Sequence, residues 1–195
     1  MLSIARCALV AIVVGAVHPP LASSQAALRS WLDAPKPASW NTAGASIPAA
    51  PKIEGPIDAR CRAQARPAQL DEDKRVREKG WDLVGPYQGG WATLVIRATA
   101  GYDGMCRPLR FQDFVFVRGM FAGTLSPQPM VSRTDGAIAR VYLQSAAQLT
   151  AEYNRYAATD PFCCPSRATS VVFEIAGGAP AVRPVSTSTS PLTRP

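Results

Sequence analysis

The sequence predicts an α+β domain: a short N-terminal helix followed by an antiparallel, meander-like β-sheet, stapled by disulfides. Three observations predict it. The apolar spacing changes from helical to alternating near Trp91. The joints between the alternating runs are too short for parallel strands, which need a crossover of about a dozen residues or more. Four cysteines, Cys61, Cys106, Cys163 and Cys164, fall within this stretch.

Residues 1–26 read as an export signal. Met1 to Arg6 is a short basic segment, Cys7 to Val17 an apolar run, and His18-Pro19-Pro20 breaks it. Ser24-Gln25-Ala26 is a small-x-small cleavage site, with cutting expected after Ala26. The run has about half of the ~20 residues that a spanning helix needs. The expected product is therefore exported, periplasmic or secreted, with no transmembrane segment. Cys7 follows Arg6 at the start of the apolar run, the wrong place for a lipid acceptor.

Removing that segment narrows the available chemistry. His18 is the only histidine, so the mature chain carries no imidazole. A Ser-His-Asp triad, a Cys-His pair, His-ligated zinc and His-ligated haem are excluded by composition. No cofactor or metal site is expected. Five cysteines become four, the even number of a disulfide framework in an oxidising compartment.

The formal charge of +7 falls by one with Arg6. The arginines are spread from Arg29 to Arg194 without a sustained basic run, whereas nucleic-acid binders concentrate charge on one helix or face. No nucleic-acid partner is expected. An exported basic protein meets envelope glycans and anionic polymers instead, although charge kept for solubility accounts for the same composition.

Residues 27–56 carry Pro35, Pro37, Pro48, Pro51 and Pro56 without a sustained period, which reads as a linker or a strap over the surface. Trp31 and Trp40 argue for docking, since indoles seldom sit in a free linker. Residues 57–178 form the domain. Residues 179–195, with Ser186-Thr187-Ser188-Thr189-Ser190, read as a low-complexity, mobile tail.

The domain's helix follows Pro67. Asp71, Glu72 and Asp73 suit its positive end, and Lys79-Gly80 closes it, so that Trp81 folds back onto Val76. Asp71 with Arg75 and Asp73 with Arg77 are spaced to pair on a solvated face. The acidic cluster is a helix start rather than a metal site.

Six strands are expected: Trp91–Ala98, Phe111–Val117, Met120–Leu125, Ile138–Gln144, Gln148–Tyr156 and Thr169–Ala176, rich in β-branched and aromatic residues. Arg118-Gly119 joins the second and third, and Asp135-Gly136 is a hairpin turn before the fourth. Along the fifth, Leu149, Ala151 and Tyr153 share one face and Thr150, Glu152 and Asn154 the other, which predicts one wet face.

Four cysteines allow three pairings. Bonding between neighbours requires a strained ring that distorts the intervening peptide. The expected framework links Cys61 and Cys106 separately to Cys163 and Cys164, with the assignment within the doublet open. A redox-active doublet is disfavoured because the spacing lacks the C-x-x-C geometry that lowers a thiol pKa.

Asp160-Pro161-Phe162-Cys163-Cys164-Pro165-Ser166, with Tyr153, Tyr156 and Val171-Val172-Phe173 around it, resembles the C-terminal signature of the LppP/LprE lipoprotein family of exported bacterial proteins. Tyr102 to Pro108 and Phe114 to Gly119 look like the upstream half of such a domain. The resemblance covers about residues 57–178. It implies an address and a framework, without an activity or catalytic residues.

Trp81, Tyr87 and Trp91 lie on a glycine-rich stretch, Gly80 to Trp91. They are the candidate ligand contacts, as aromatic rings stack on apolar sugar faces. The competing structural account has Trp81 capping the helix and Trp91 opening a buried strand. The functional expectation is a non-enzymatic envelope or secreted binding module. The alternative is a glycan-acting hydrolase built on carboxylates such as Asp103, Asp113, Glu152 or Glu174, for which a pair ~5–10 Å apart is required. A cleft holding two carboxylates separates the enzyme from the binder.

Overall fold

A computed structural model describes residues 30–131, 136–161 and 163–192. The signal segment lies outside the described residues. A 3-10 helical turn (Trp31–Asp33) and two short α-helices, α1 (Ala59–Arg62) and α2 (Asp71–Glu78), precede nine strands. These are β1 (Asp82–Leu83), β2 (Gln88–Gly90), β3 (Thr93–Tyr102), β4 (Pro108–Val117), β5 (Met120–Thr124), β6 (Ala137–Ser145), β7 (Gln148–Arg155), β8 (Arg167–Ile175) and β9 (Val182–Pro191). The domain is mostly antiparallel β, with α2 packed on one face of it.

The expected single sheet is in fact two. The first runs β1-β3-β4-β5 with β2 also on β3; the second runs β6-β7-β8-β9. The break falls between β5 and β6, the connection in which a hairpin turn at Asp135-Gly136 was expected. Gly136 has a left-handed backbone (φ +91°), and Asp135 lies outside the described residues, but the joined strands β5 and β6 belong to different sheets. Ser126-Pro127-Gln128-Pro129 leaves β5 with two residues that cannot donate to a ladder. The connection then crosses to the second sheet.

The two sheets pack face to face. Val95, Val115 and Val117 of the first meet Leu149, Ala151, Tyr153, Val171 and Phe173 of the second. The opposite face of the first sheet, with Ile96, Ala98, Phe114 and Phe116, is covered by Val76, Trp81 and the strap residues Ile47, Ala50 and Ile53. Burial on both faces explains why Phe111 to Val117 is buried at every position. Among the described residues the second sheet has no such cover. Leu149, Ala151 and Tyr153 are buried while Thr150, Glu152 and Asn154 are only partly so, which is the wet face expected of β7.

α2 ends as its residues dictate. Gly80 takes φ +87°, its N–H donates to the Arg77 carbonyl at 2.8 Å, and Trp81 is buried in the same cluster as Val76. The expected charge pairs differ. Asp71 bonds Lys74 at 2.7 Å and Glu72 approaches Arg75 at 3.8 Å. Asp73 turns inward, because there it accepts the Gln69 and Leu70 N–H groups at 3.0 and 3.2 Å and the Arg66 guanidinium at 2.6 and 2.7 Å.

The strap is docked. Trp31 and Trp40 meet edge to face at 5.0 Å, and contact Tyr153 and Phe173 respectively. Asn41, nearly buried, donates to the carbonyls of Thr124 and Val182 at 2.8 Å each and accepts the Thr124 N–H at 2.9 Å. It thus joins β5 to β9 across the sheets. Gly123 makes room for it: at φ +131°, a Cβ there would lie 2.2 Å from Asn41 Cγ. Asn41→Ala removes a partner from the Thr124 N–H and the Val182 carbonyl, while the Thr124 carbonyl keeps the Trp40 indole N–H at 3.1 Å, and should lower unfolding stability by about 1–3 kcal/mol. An unchanged denaturant midpoint would show that the strap is not part of the cooperative unit.

The expected mobile tail is β9. It pairs with β8 from Ile175↔Val182 to Arg167↔Pro191. Thr187 binds the strap at Pro35 (N–H to carbonyl, 3.0 Å) and Ala34 (hydroxyl to carbonyl, 2.6 Å), covering part of the free edge. Serine and threonine repeats look featureless alone, but a ready strand partner pairs their backbone.

The disulfide framework also corrects the expectation. Cys61 bonds Cys106, with Cα atoms 4.7 Å apart, and Cys163 bonds Cys164. α1 sits on the β3–β4 turn, and Cys61 is 2% exposed there. The doublet belongs to the β7–β8 turn of the other sheet. That turn is closed by Asp160, whose Oδ2 accepts the N–H groups of Ala157 (2.6 Å) and Ser166 (2.9 Å) and the Ser166 hydroxyl (2.7 Å).

Candidate binding surface

The aromatic trio does not converge. Trp81 is 1% exposed, packed edge to face on Phe114 at 5.2 Å with its indole N–H on the Pro48 carbonyl at 2.8 Å. It is unavailable to any ligand. Tyr87 is partly exposed, but Arg66 sits over its ring at 5.6 Å. Trp91 is 63% exposed. The buried strand expected from Trp91 begins instead at Thr93. Trp91 and Ala92 take φ +54° and +60° and form the two-residue turn between the paired Gly90 and Thr93. Two left-handed residues suit the twist of a tight hairpin, and they leave the Trp91 side chain largely in solvent.

Trp91 stands on a defined end of the sandwich. The Arg118 N–H donates to the Ala92 carbonyl at 2.8 Å, so the β2–β3 and β4–β5 turns touch. Met120, 48% exposed, follows the second turn. Arg75 reaches the Gly119 carbonyl from α2. Beside it, a hollow of about 560 Å³ is lined by Ile47, Met120, Phe121 and Pro180, with Arg75 and Lys79 among its charged residues. This end is apolar at its centre, with Arg75, Lys79 and Glu78 around it and Arg118 in the adjoining turn.

A second feature lies between the sheets, where the edges β2 and β6 approach. A cleft of about 230 Å³ is lined by Val84, Gly85, Pro86 and Gln88 from the β1–β2 connection and β2, Val95 and Arg97 from β3, Asp113 from β4, and Ala139 to Val141 from β6. Register places Arg97 opposite Asp113. Arg97 Nε donates to Asp113 Oδ1 at 2.9 Å; the carboxylate side chain is 3% exposed and the arginine 33%. Asp113 Oδ2 is buried without a hydrogen-bond partner among the described residues. Burial pushes the Asp113 carboxyl upward, against the charge and hydrogen bond of Arg97. The sequence signal for this pair was present: one charge at the centre of each of two adjacent apolar strands. Only Asp113 was singled out, and Arg97 was missed.

The other candidate carboxylates are scattered. Asp103 shapes the β3–β4 turn, accepting the Met105 and Arg107 N–H groups and pairing with the Arg107 side chain at 2.6 Å. Glu152 lies opposite Arg140 on the outer face. Glu174 lies opposite Arg183. Four cavities among the described residues each hold a single carboxylate: Glu78, Asp113, Glu54 and Glu174. No group of three metal-ligating side chains gathers among the described residues.

These features define a small two-sheet antiparallel β protein with an exposed aromatic–cationic end and a lateral cleft. Residues 91–178, from the Trp91 turn through β8, match the family model described as LppP/LprE lipoprotein, the family that the cysteine-doublet segment resembles. The match begins after α2, so Cys61 and Trp81 lie outside it while Cys106 and the doublet lie within. No curated protein and no solved structure matches the chain.

Proposed function

We propose that this protein is an exported, non-enzymatic binding module of the cell envelope that engages envelope glycan through the end of the sandwich carrying Trp91. The exposed indole carries the reading. A tryptophan 63% exposed, held in a tight turn tied to its neighbour, costs solvation that a partner would recover, and large aromatics are otherwise mostly buried. Arg118, Arg75 and Lys79 add attraction for anionic groups on the same polymer. The match to a lipoprotein family supports an envelope location, and no helix among the described residues is long and apolar enough to cross a membrane. The carboxylate-based hydrolase is disfavoured because no cavity above holds the pair such chemistry needs.

Retention of the mature chain on insoluble envelope polymer tests this. Trp91→Ala should weaken retention about tenfold at every salt concentration, as for a lost stacking contact. Retention that vanishes with salt alone and ignores Trp91→Ala would assign binding to the cations, since exposed charges are screened beyond about 8 Å at physiological ionic strength. Retention indifferent to both would overturn the proposed surface.

A further inference from the structure

We propose that the lateral cleft is a saccharide subsite that takes one neutral sugar ring, with Asp113 and Arg97 reading a pair of adjacent hydroxyls. The proposal rests on the glycan reading above and adds to it a second place of contact and a ligand class.

Asp113 is the starting point. A buried polar atom is nearly always hydrogen-bonded, and leaving one unmade is costly. Asp113 Oδ2 has no such partner, yet its residue lines an open cleft. Its other oxygen is taken by Arg97 Nε. The Arg97 guanidinium lies over the Phe111 ring at 6.0 Å, and among the described residues its η nitrogens donate no hydrogen bond. The floor therefore sets an acceptor beside donors, fixed relative to one another by an ion pair across two hydrogen-bonded strands; Oδ2 is covered in the unliganded structure, and a ligand hydroxyl reaches it by a small opening of the cleft walls.

That pair selects by charge. A cationic ligand is attracted by Asp113 but repelled by Arg97, and an anionic one the reverse, so a full charge gains little net attraction and still loses hydration on entering the cleft. A neutral ligand with two neighbouring hydroxyls uses both: one O–H donates to Oδ2, and an arginine N–H donates to the adjacent oxygen. Val84, Pro86, Val95 and Val141 supply apolar wall for the C–H faces of a ring. The volume, about 230 Å³, falls below the about 300–1,000 Å³ of drug-sized sites. It suits a single ring rather than a chain. The outer edges of β2 and β6 flank the cleft, and among the described residues no further strand pairs with either. A longer glycan can therefore leave toward Trp91, three residues beyond Gln88.

Amide NMR titration of the mature full chain tests the cleft, with glucose and mannose as neutral probes and glucosamine and glucuronate as charged counterparts. The neutral sugars should produce saturable shifts at Gly85, Val95 and Ala139. The charged sugars should bind about tenfold more weakly, the scale of one unfavourable polar contact. Asp113→Asn should remove the saturable shifts. Because that position is buried, Ala139→Trp provides a second variant: Ala139 is exposed at the mouth, so the indole should block the cleft while leaving the melting temperature unchanged.

Absence of saturable shifts with any neutral sugar, or equal shifts in Ala139→Trp, overturns the subsite. Tighter binding of either charged sugar overturns the diol assignment. If Trp91→Ala abolishes polymer retention while no neutral sugar shifts the cleft amides, the subsite falls and the glycan reading stands. If neutral sugars fill the cleft and wild-type protein is not retained by polymer, the subsite stands and the Trp91 surface falls.

Discussion

Replacing Asp73 by alanine should lower the unfolding stability by about 3–5 kcal/mol, the scale of breaking a buried ion pair by removing one partner. Asp73 is fully buried and receives both guanidinium nitrogens of Arg66, whose side chain is only 14% exposed. It also satisfies the Gln69 and Leu70 N–H groups ahead of α2. Alanine would strand a cation and two amide donors at once, and the α2 cover over Ile96 and Phe114 would loosen with them. The pH dependence gives an independent check. Burial alone would raise the Asp73 carboxyl, but the Arg66 hydrogen bonds and the two backbone donors outweigh it and hold the carboxyl below the usual range. A carboxylate depressed in the folded state contributes stability above its unfolded pKa, about 3.9, and loses it as pH falls through the folded value. The wild type should therefore lose this contribution below about pH 4, and Asp73→Ala should lack that part of the acid slope. A variant within 1 kcal/mol of wild type by denaturant titration would show that Arg66 and the amides find other partners.

Removing the Cys61–Cys106 bond by changing both residues to serine should cost about 4 kcal/mol by the chain-entropy relation for a loop of this length, within the ~2–5 kcal/mol usual for small exported domains. The bond closes 45 residues and ties α1 to the far end of β3 and β4. Changing Cys163 and Cys164 to serine should cost far less, because a bond between neighbours constrains almost no loop. A non-reducing peptide mass map checks the pairing directly, and chemical denaturation of the two double variants checks the asymmetry. Equal losses, or a peptide linking Cys61 to the doublet, would overturn the framework.

What could be read from the chain was whatever is settled within a few residues. Acidic residues at 71–73 and Gly80 bound a helix because caps and charges act over a single turn. β-branched and aromatic residues mark the strands read as Trp91–Ala98 through Thr169–Ala176, and alternation along Gln148–Tyr156 marks its wet face because side chains on a strand repeat every second residue. Arg118-Gly119 closes a hairpin because both residues accept a left-handed backbone. The Cys163-Cys164 segment identified the family likeness on the same local footing.

The rest depended on which distant segments meet. Alternation cannot say whether β6 continues the first sheet or begins a second, since the pattern within a strand is the same in both. The serine and threonine run of β9 gained its structure from β8 and the strap, neither of them adjacent to it in the chain. Asp73 looked solvated because spacing along α2 offered it Arg77, while the fold delivered Arg66 and two amides instead. Trp91 looked buried by composition, and two left-handed residues put it outside. Cys61 and Cys106 paired because α1 docks on the β3–β4 turn, a meeting across 45 residues that local sequence cannot encode. The Arg97–Asp113 cleft belongs to both levels: each charge was visible within its strand, but the opening beside them exists only where the edges of two sheets approach.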